Sequence, residues 1–166
     1  MDGVGGGIDL VRIDSGFTRH DALLALIRAA FASMDGVIDP PSSAHRLTVE
    51  NLAQKVRDEI GLVALDRGAG DALIGCAFLR PEPDALYIGK LAIAPEVQGR
   101  GIGRALLLRA EAIARETGLR RLRLETRIEL VRNHQTFAAW GFVRTAENAH
   151  PGYDRVTSVE MSKVLD

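Results

Sequence analysis

Residues 94 to 115 read APEVQGRGIGRALLLRAEAIAR. Gly99, Gly101 and Gly103 stand at alternate positions ahead of a helix-like run, where bare backbone is costly unless something must come close to it. A helix start exposes unpaired N–H groups and the positive end of the helix dipole, and both favour an anion. A phosphate or pyrophosphate is the natural guest of such a cradle. Gln98, Arg100 and Arg104 flank it. A Walker loop would need a Lys-Ser/Thr pair after its last glycine, and none follows. A dinucleotide fingerprint would need G-x-G-x-x-G behind a first strand, whereas the spacing here is G-x-G-x-G beyond the middle of the chain. A side chain at Gly101 or Gly103 is expected to occupy the phosphate's place.

The elements that must position this cradle follow from hydrophobic periodicity. IDLVRID (8–14) alternates as a first strand. Thr18 and Asp21 resemble a capping pair for the helical run that follows. GVIDPPSS (36–43) is a turn-rich loop, and Thr48 is placed to cap a short helix reaching about Arg57. GLVALDRG, DALIGCAFLRP and ALYIGKLAIAP read as three strands. After the glycines, Ile102, Ala105, Leu106, Ala110, Ile113 and Ala114 form one helical stripe, closed by Gly118. RRLRLET is a strand with one solvated face. A short helix over 130–139 stops at Gly141, and GFVRTA and RVTSVEMSKV finish the chain as strands. The order implies one mixed α/β domain over 8–166 behind a flexible leader, 1–7.

Composition narrows the function. The 166 residues are 46% hydrophobic with a net charge of −1, which gives no basic surface for nucleic acid. No apolar run approaches a membrane span of about 18 residues, and no signal peptide is visible. The single cysteine, Cys76, sits in an apolar run and reads as core filler in a reducing compartment, so a cytoplasmic location is expected. No cluster has metal-ligand spacing, and no metal is expected.

The segment LAIAPEVQGRGIGRALLLRAEAIA resembles the acyl-CoA-binding motif of the Gcn5-related N-acetyltransferase (GNAT) superfamily. That motif, Gln/Arg-x-x-Gly-x-Gly/Ala, is met by Gln98, Gly101 and Gly103. The downstream strand, short helix and Gly141-Phe142 resemble the family's next block. The resemblance implies a central, mostly antiparallel sheet of about seven strands, splayed between the fourth and fifth and flanked by about four helices. It implies acetyl-CoA as co-substrate, with the pantetheine arm along Leu91, Ala92 and Ile93. The pyrophosphate would lie on the backbone of Gln98, Gly99, Arg100, Gly101, Ile102, Gly103 and Arg104, with Asn133 and Phe137 beside the cofactor. The reaction implied is direct attack of a primary amine, on a small molecule or a protein, upon the thioester. Dimers are frequent in the family, so a homodimer is compatible with it.

One departure stands out. Many members carry a tyrosine as acid beside the thiol, five residues before the Gly-Phe pair's phenylalanine. Here that position is Phe137, which has no proton to give. Tyr153, in the AHPGYDR loop, and Glu129 and His134, at the start of the short helix, are the candidates to replace it. His150 is a lesser one. Ser42, Ser43 and His45 in the opposite loop are expected to meet the acceptor. The missing tyrosine also leaves open an acyl-CoA-binding sensor or partner module without turnover.

Overall fold

The structure is a computed structural model and describes residues 7–166. The expected leader, Gly7 apart, lies outside the described residues. The elements run β1 (Ile8–Ile13), α1 (His20–Phe31), α2 (Val49–Asp58), β2 (Ile60–Asp66), β3 (Ala72–Pro81), β4 (Leu86–Ile93), α3 (Ile102–Glu116), β5 (Arg121–Arg127), α4 (Val131–Ala139), β6 (Val143–Asn148) and β7 (Ser158–Val164). One seven-stranded sheet has the order β1-β2-β3-β4-β5-β7-β6. Every neighbouring pair is antiparallel except β4 and β5. Parallel neighbours need a crossover, and α3 supplies it.

The centre of the sheet is covered on both faces. Residues 74–79 of β3 are buried without interruption, the pattern of a strand packed on both sides. On one side the Lys55 ammonium of α2 lies 5.5 Å from the Phe78 ring centre. On the other, a Cβ at Gly75 would stand 3.0 Å from Ile102 of α3. Leu23 and Ile27 of α1 and Leu106 and Ala110 of α3 are fully buried. Cys76 is fully buried between these layers, and burial pushes its thiol up to about 12, which makes it an inert core residue.

Helix ends follow side-chain chemistry where the sequence offers it. Thr48 and Asn51 make a reciprocal capping box at α2. Gly118 takes a left-handed φ of 78° after α3, and Leu119 N–H closes on Ala114 O at 2.8 Å, as a glycine-ended helix does. The Thr18–Asp21 capping pair does not form. The helix starts at His20 with Arg19 as its uncapped N-cap, and Asp21 accepts instead from Ala22 N–H at 3.0 Å. A turn closed by the Asp14 side chain on Gly16 N–H precedes α1, whose N-cap falls one residue past Thr18.

On β5, Leu122, Leu124 and Thr126 face inward and the charged residues alternate with them. That charged face is less solvated than its composition suggests. Arg123 makes two bonds to Glu82 (2.9 and 2.8 Å) and one to Glu160 (3.1 Å), and its guanidinium stacks 4.4 Å from the Tyr87 ring centre.

Candidate active site

The sheet opens where β4 leaves β5. The two strands pair only at Leu86–Leu122, Tyr87–Arg123 and Ile88–Leu124. Beyond Ile88, β4 continues to Ile93 and β5 to Arg127 without facing pairs. The divergence coincides with a bulge. The register on β3 passes from Phe78–Gly89 to Cys76–Ala92, so Lys90 and Leu91 together oppose Ala77. Lys90 sits at φ 49°, in the left-handed region that an L side chain adopts at a cost. Such a bulge bends its strand and sharpens the local twist.

Ala94 N–H donates to Ile74 O at 2.9 Å. The antiparallel alternation therefore commits Ala92, the partner of Cys76, to β3 as well. The backbone groups of Leu91 and Ile93 point into the opening, and Ala92 contributes only a buried methyl. On the β5 side, the Thr126 hydroxyl is buried and has no hydrogen-bond partner among the described residues. The opening thus offers an extended ligand a row of polar backbone and one unused hydroxyl.

The glycine segment lies at one end of this opening. Pro95 begins a 3-10 turn, Pro95–Val97, and the chain then passes Gly99 (φ 82°) and Gly101 (φ 81°) into α3. Gly101 is the N-cap and offers no side chain to the first helical N–H groups. A Cβ at Gly99 or Gly101 would meet nothing within 4 Å, so the backbone is bare toward open space. These two glycines are required by conformation. Gly103 differs: its Cβ would point at Trp140 (3.6 Å) and Ile93 (3.8 Å), ordinary contact distances. Gly103 is not part of the left-handed turn, and a methyl group there would be accommodated. The open cradle and the unpaired strand edge fit a phosphate-bearing, extended cofactor such as acyl-CoA.

A cleft of about 430 Å³ continues from the opening toward the α1–α2 side. Tyr87, Gly89 and Lys90 of β4 and Glu125 to Arg127 of β5 form its floor; Ser42, Ser43, His45, Arg46, Phe31 and Met34 form one wall; Asn133, Phe137 and His150 reach it from the other. The Lys90 ammonium bonds the Ser43 hydroxyl, which ties the bulge to the loop above it. Burial and the charges of Lys55, Arg46 and Arg127 hold Lys90 down to about 8. The Arg127 guanidinium donates to the carbonyls of Pro40 and Pro41. Burial and Arg127 also lower His150 below its ordinary value, so its ring is neutral at pH 7; its Nδ1 pairs with the Thr157 hydroxyl.

The residues singled out from the sequence fall into two groups. Ser42, Ser43, His45, Asn133, Phe137 and His150 line the cleft. Tyr153, Glu129 and His134 are engaged around it. Tyr153 donates its phenol proton to Asp39 Oδ1 at 2.6 Å, and that bond holds the phenol above its ordinary value. Glu129 Oε2 accepts from Asp39 N–H at 3.2 Å, and Oε1 is buried without a partner among the described residues. His134 Nε2 lies 2.8 Å from Arg127 O. Phe137 packs edge-on against Trp140 and Phe142. Lys90, Arg46, Arg127, Glu125 and Tyr87 were not singled out by the sequence reading. The alternation of RRLRLET marks a charged face as a whole and neither Glu125 nor Arg127 in particular; nothing local marks Lys90.

The sequence profile of the acetyltransferase (GNAT) family matches residues 24–142. An aminoglycoside N(6')-acetyltransferase type 1 of Stenotrophomonas maltophilia is 32% identical over 106 residues, which cover 58% of this chain and 69% of that protein. The PaiA N-acetyltransferase of Thermoplasma acidophilum, solved with coenzyme A, superposes with a TM-score of 0.77 at 19% identity, over 95% of this chain and 98% of that one. An acetyltransferase of Elizabethkingia anophelis, solved with acetyl-CoA bound, superposes with a TM-score of 0.67 at 19% identity, over 96% and 99%. The structural likenesses show a shared fold.

Proposed function

The chain belongs to the GNAT family of acetyltransferases, and on that premise we propose that it moves an acetyl group from acetyl-CoA to a primary amine. The single observation that carries the cofactor assignment is the opening between β4 and β5, with the bare Gly99–Gly101 turn at its end. Bound there, acetyl-CoA supplies an activated acyl carbon. The chain's part is then to bind, orient and move a proton. Backbone N–H groups at the start of α3 hold the pyrophosphate. Leu91 and Ile93 pair with the pantetheine arm, and a fixed N–H of β4 steadies the negative charge that develops on the carbonyl oxygen.

The amine must lose a proton to attack. Glu125 is the carboxylate that lines the cleft, one residue past the last β4–β5 pair, and we assign it as the proton acceptor, directly or through water. Tyr153, with its proton committed to Asp39, serves as the anchor of the cleft's outer loop. A thiol of ordinary pKa near ~8.5 leaves without a strong acid, so Phe137 is compatible with turnover. Glu129 supports the same loop through Asp39 N–H, and His134 steadies the end of β5 through Arg127 O.

Calorimetric titration with CoA, followed by thiol release from acetyl-CoA across a panel of amines, tests the proposal. CoA binding with amine-dependent thiol release is expected. CoA binding with no turnover on any amine would favour the sensor that the missing hydroxyl at Phe137 suggests, and failure to bind CoA would overturn both.

A further inference from the structure

The charges lining the cleft are unbalanced in one direction. Lys90, Arg46 and Arg127 line it, against the single carboxylate of Glu125. The whole chain carries a net −1, so this is a local arrangement. None of the three cations has a carboxylate within ion-pair distance among the described residues. Lys90 bonds only the neutral Ser43 hydroxyl, and Arg127 spends two nitrogens on the carbonyls of Pro40 and Pro41.

The carboxylates nearby are turned elsewhere. Glu125 accepts weakly from Asn148 at 3.4 Å and lies 3.7 Å from Arg123. Asp39 and Glu129 pair with Arg155 at 3.1 and 3.8 Å; they also act on the charge of Arg127, without reaching ion-pair distance from it. Glu59 pairs with Lys55 at 2.7 Å, and Asp35 with His45 at 2.6 Å. Cations withdrawn from water are normally paired, because the uncompensated charge is costly to hold. Lys90 and Arg127 are half-buried and Arg46 stands exposed at the rim; together they form a site that an anion would complete.

We infer that the acceptor is an amine that also carries an anionic group, a carboxylate or a phosphate, seated on Lys90, Arg46 and Arg127 with its amino group toward Glu125. The inference rests on the acetyltransferase reading above and specifies its substrate class. Electrostatic complementarity of this kind selects partners chiefly by excluding the wrong charge. A polycation such as an aminoglycoside would bring its charges against three like ones. The relative's acceptor is therefore not expected here.

The test compares kcat/KM for matched amines in the intact protein. 5-Aminovalerate and O-phosphoethanolamine supply the two anion types, and n-pentylamine and ethanolamine their counterparts without the anion. Spermidine and kanamycin supply polycations. A preference of at least about tenfold for an anionic amine is expected, since a charge-assisted hydrogen bond contributes on that order. The better of the two anions identifies the source. Arg46→Ala should shrink that preference by about tenfold, through KM. Equal or better use of the amines without an anion or of the polycations, or a preference that Arg46→Ala leaves intact, would overturn the inference. Direct titration of the two anionic amines against the CoA-loaded protein keeps the question open to decision if nothing turns over. Binding weakened by Arg46→Ala supports the anion site, and no binding refutes it. A failure to bind CoA, by contrast, strikes the acetyltransferase reading alone; the same titration without cofactor still judges the anion site.

Discussion

The Tyr153 hydroxyl donates to Asp39 Oδ1 at 2.6 Å, across 114 residues of chain. The bond joins the turn between β6 and β7 to the loop that walls the cleft, and Arg155 reinforces it from the Tyr153 side at 3.1 Å. The bond favours the ionised Asp39, whose pKa lies below its ordinary value, and the un-ionised Tyr153. A phenol whose proton is already given to a carboxylate is poorly placed to give it to a thiolate.

Tyr153→Phe is therefore expected to loosen the loop without removing a catalytic group. Acceptor KM should rise a few-fold, with kcat and the shape of its pH profile unchanged. Steady-state kinetics over pH 6 to 9.5 check this. A fall of about a hundredfold in kcat, with loss of the alkaline limb, would make Tyr153 the acid after all.

The two kinds of glycine in the cradle make different predictions. Gly101 holds φ 81° at the N-cap of α3. That conformation costs a β-branched residue on the order of 1–3 kcal/mol. Gly101→Val should weaken CoA binding at least about tenfold, because the N–H groups it orients no longer converge. Gly103→Ala adds a methyl 3.6 Å from Trp140, which is ordinary contact, and should bind CoA within about twofold of the original. Gly103→Val reaches further toward Ile93 and should fall between them. Calorimetry on folded variants separates the three, and equal affinities throughout would remove the cradle from the binding site.

Lys90 links the site to stability. Its pKa is held near 8, below the ordinary 10.5, chiefly by desolvation and then by Lys55, Arg46 and Arg127. Below pH 8 the group is charged in both states and the folded protein bears the full cost. Between about pH 8 and 10.5 the unfolded chain holds the extra proton, so this cost fades as pH rises. Lys90→Met keeps the left-handed backbone demand of the bulge and removes the charge. It should stabilise the protein by about 1–2 kcal/mol at pH 7, after discounting for solvent screening. The gain should shrink steadily above pH 8. Denaturant unfolding at pH 7 and at pH 9.5 measures both numbers; an equal gain at the two would trace it to packing and not to charge.

Much of this architecture was legible in advance, for identifiable reasons. Thr48 and Gly118 are local signals whose partners lie within one helical turn, and they act as read. The G-x-G-x-G spacing marks the turn into α3, in which Gly99 and Gly101 are left-handed and Gly103 is not. The Thr18 cap does not form because α1 begins at His20 with Arg19 as its N-cap, one residue past where Thr18 could serve. Lys90 was hidden because IGKLAI reads as an unbroken strand. A bulge that puts a lysine in the left-handed region has no compositional mark. The Lys90–Ser43 bond spans 47 residues and that of Arg127 with Pro40 spans 87, so the cation cluster exists only in the folded chain. Tyr153 and Glu129 were found as polar residues near the opening, yet their partner, Asp39, came from a loop that sequence periodicity does not place.

Glu125 provides the sharpest test of the proposed chemistry. It follows Leu124, the last β5 residue paired with β4, and lines the cleft where the amine would approach. General-base catalysis by a positioned carboxylate contributes typically about 10²–10⁴-fold. Glu125→Gln retains the size and a hydrogen-bonding oxygen but cannot take a proton. It should lower kcat by about a hundredfold while CoA affinity, set by the glycine cradle and β4, changes less than twofold. The remaining activity should rise continuously with pH, because only the fraction of amine already neutral in solution can attack. A variant with near-original kcat and an unchanged profile would remove Glu125 from the reaction and return attention to His150, whose neutral ring lines the same cleft.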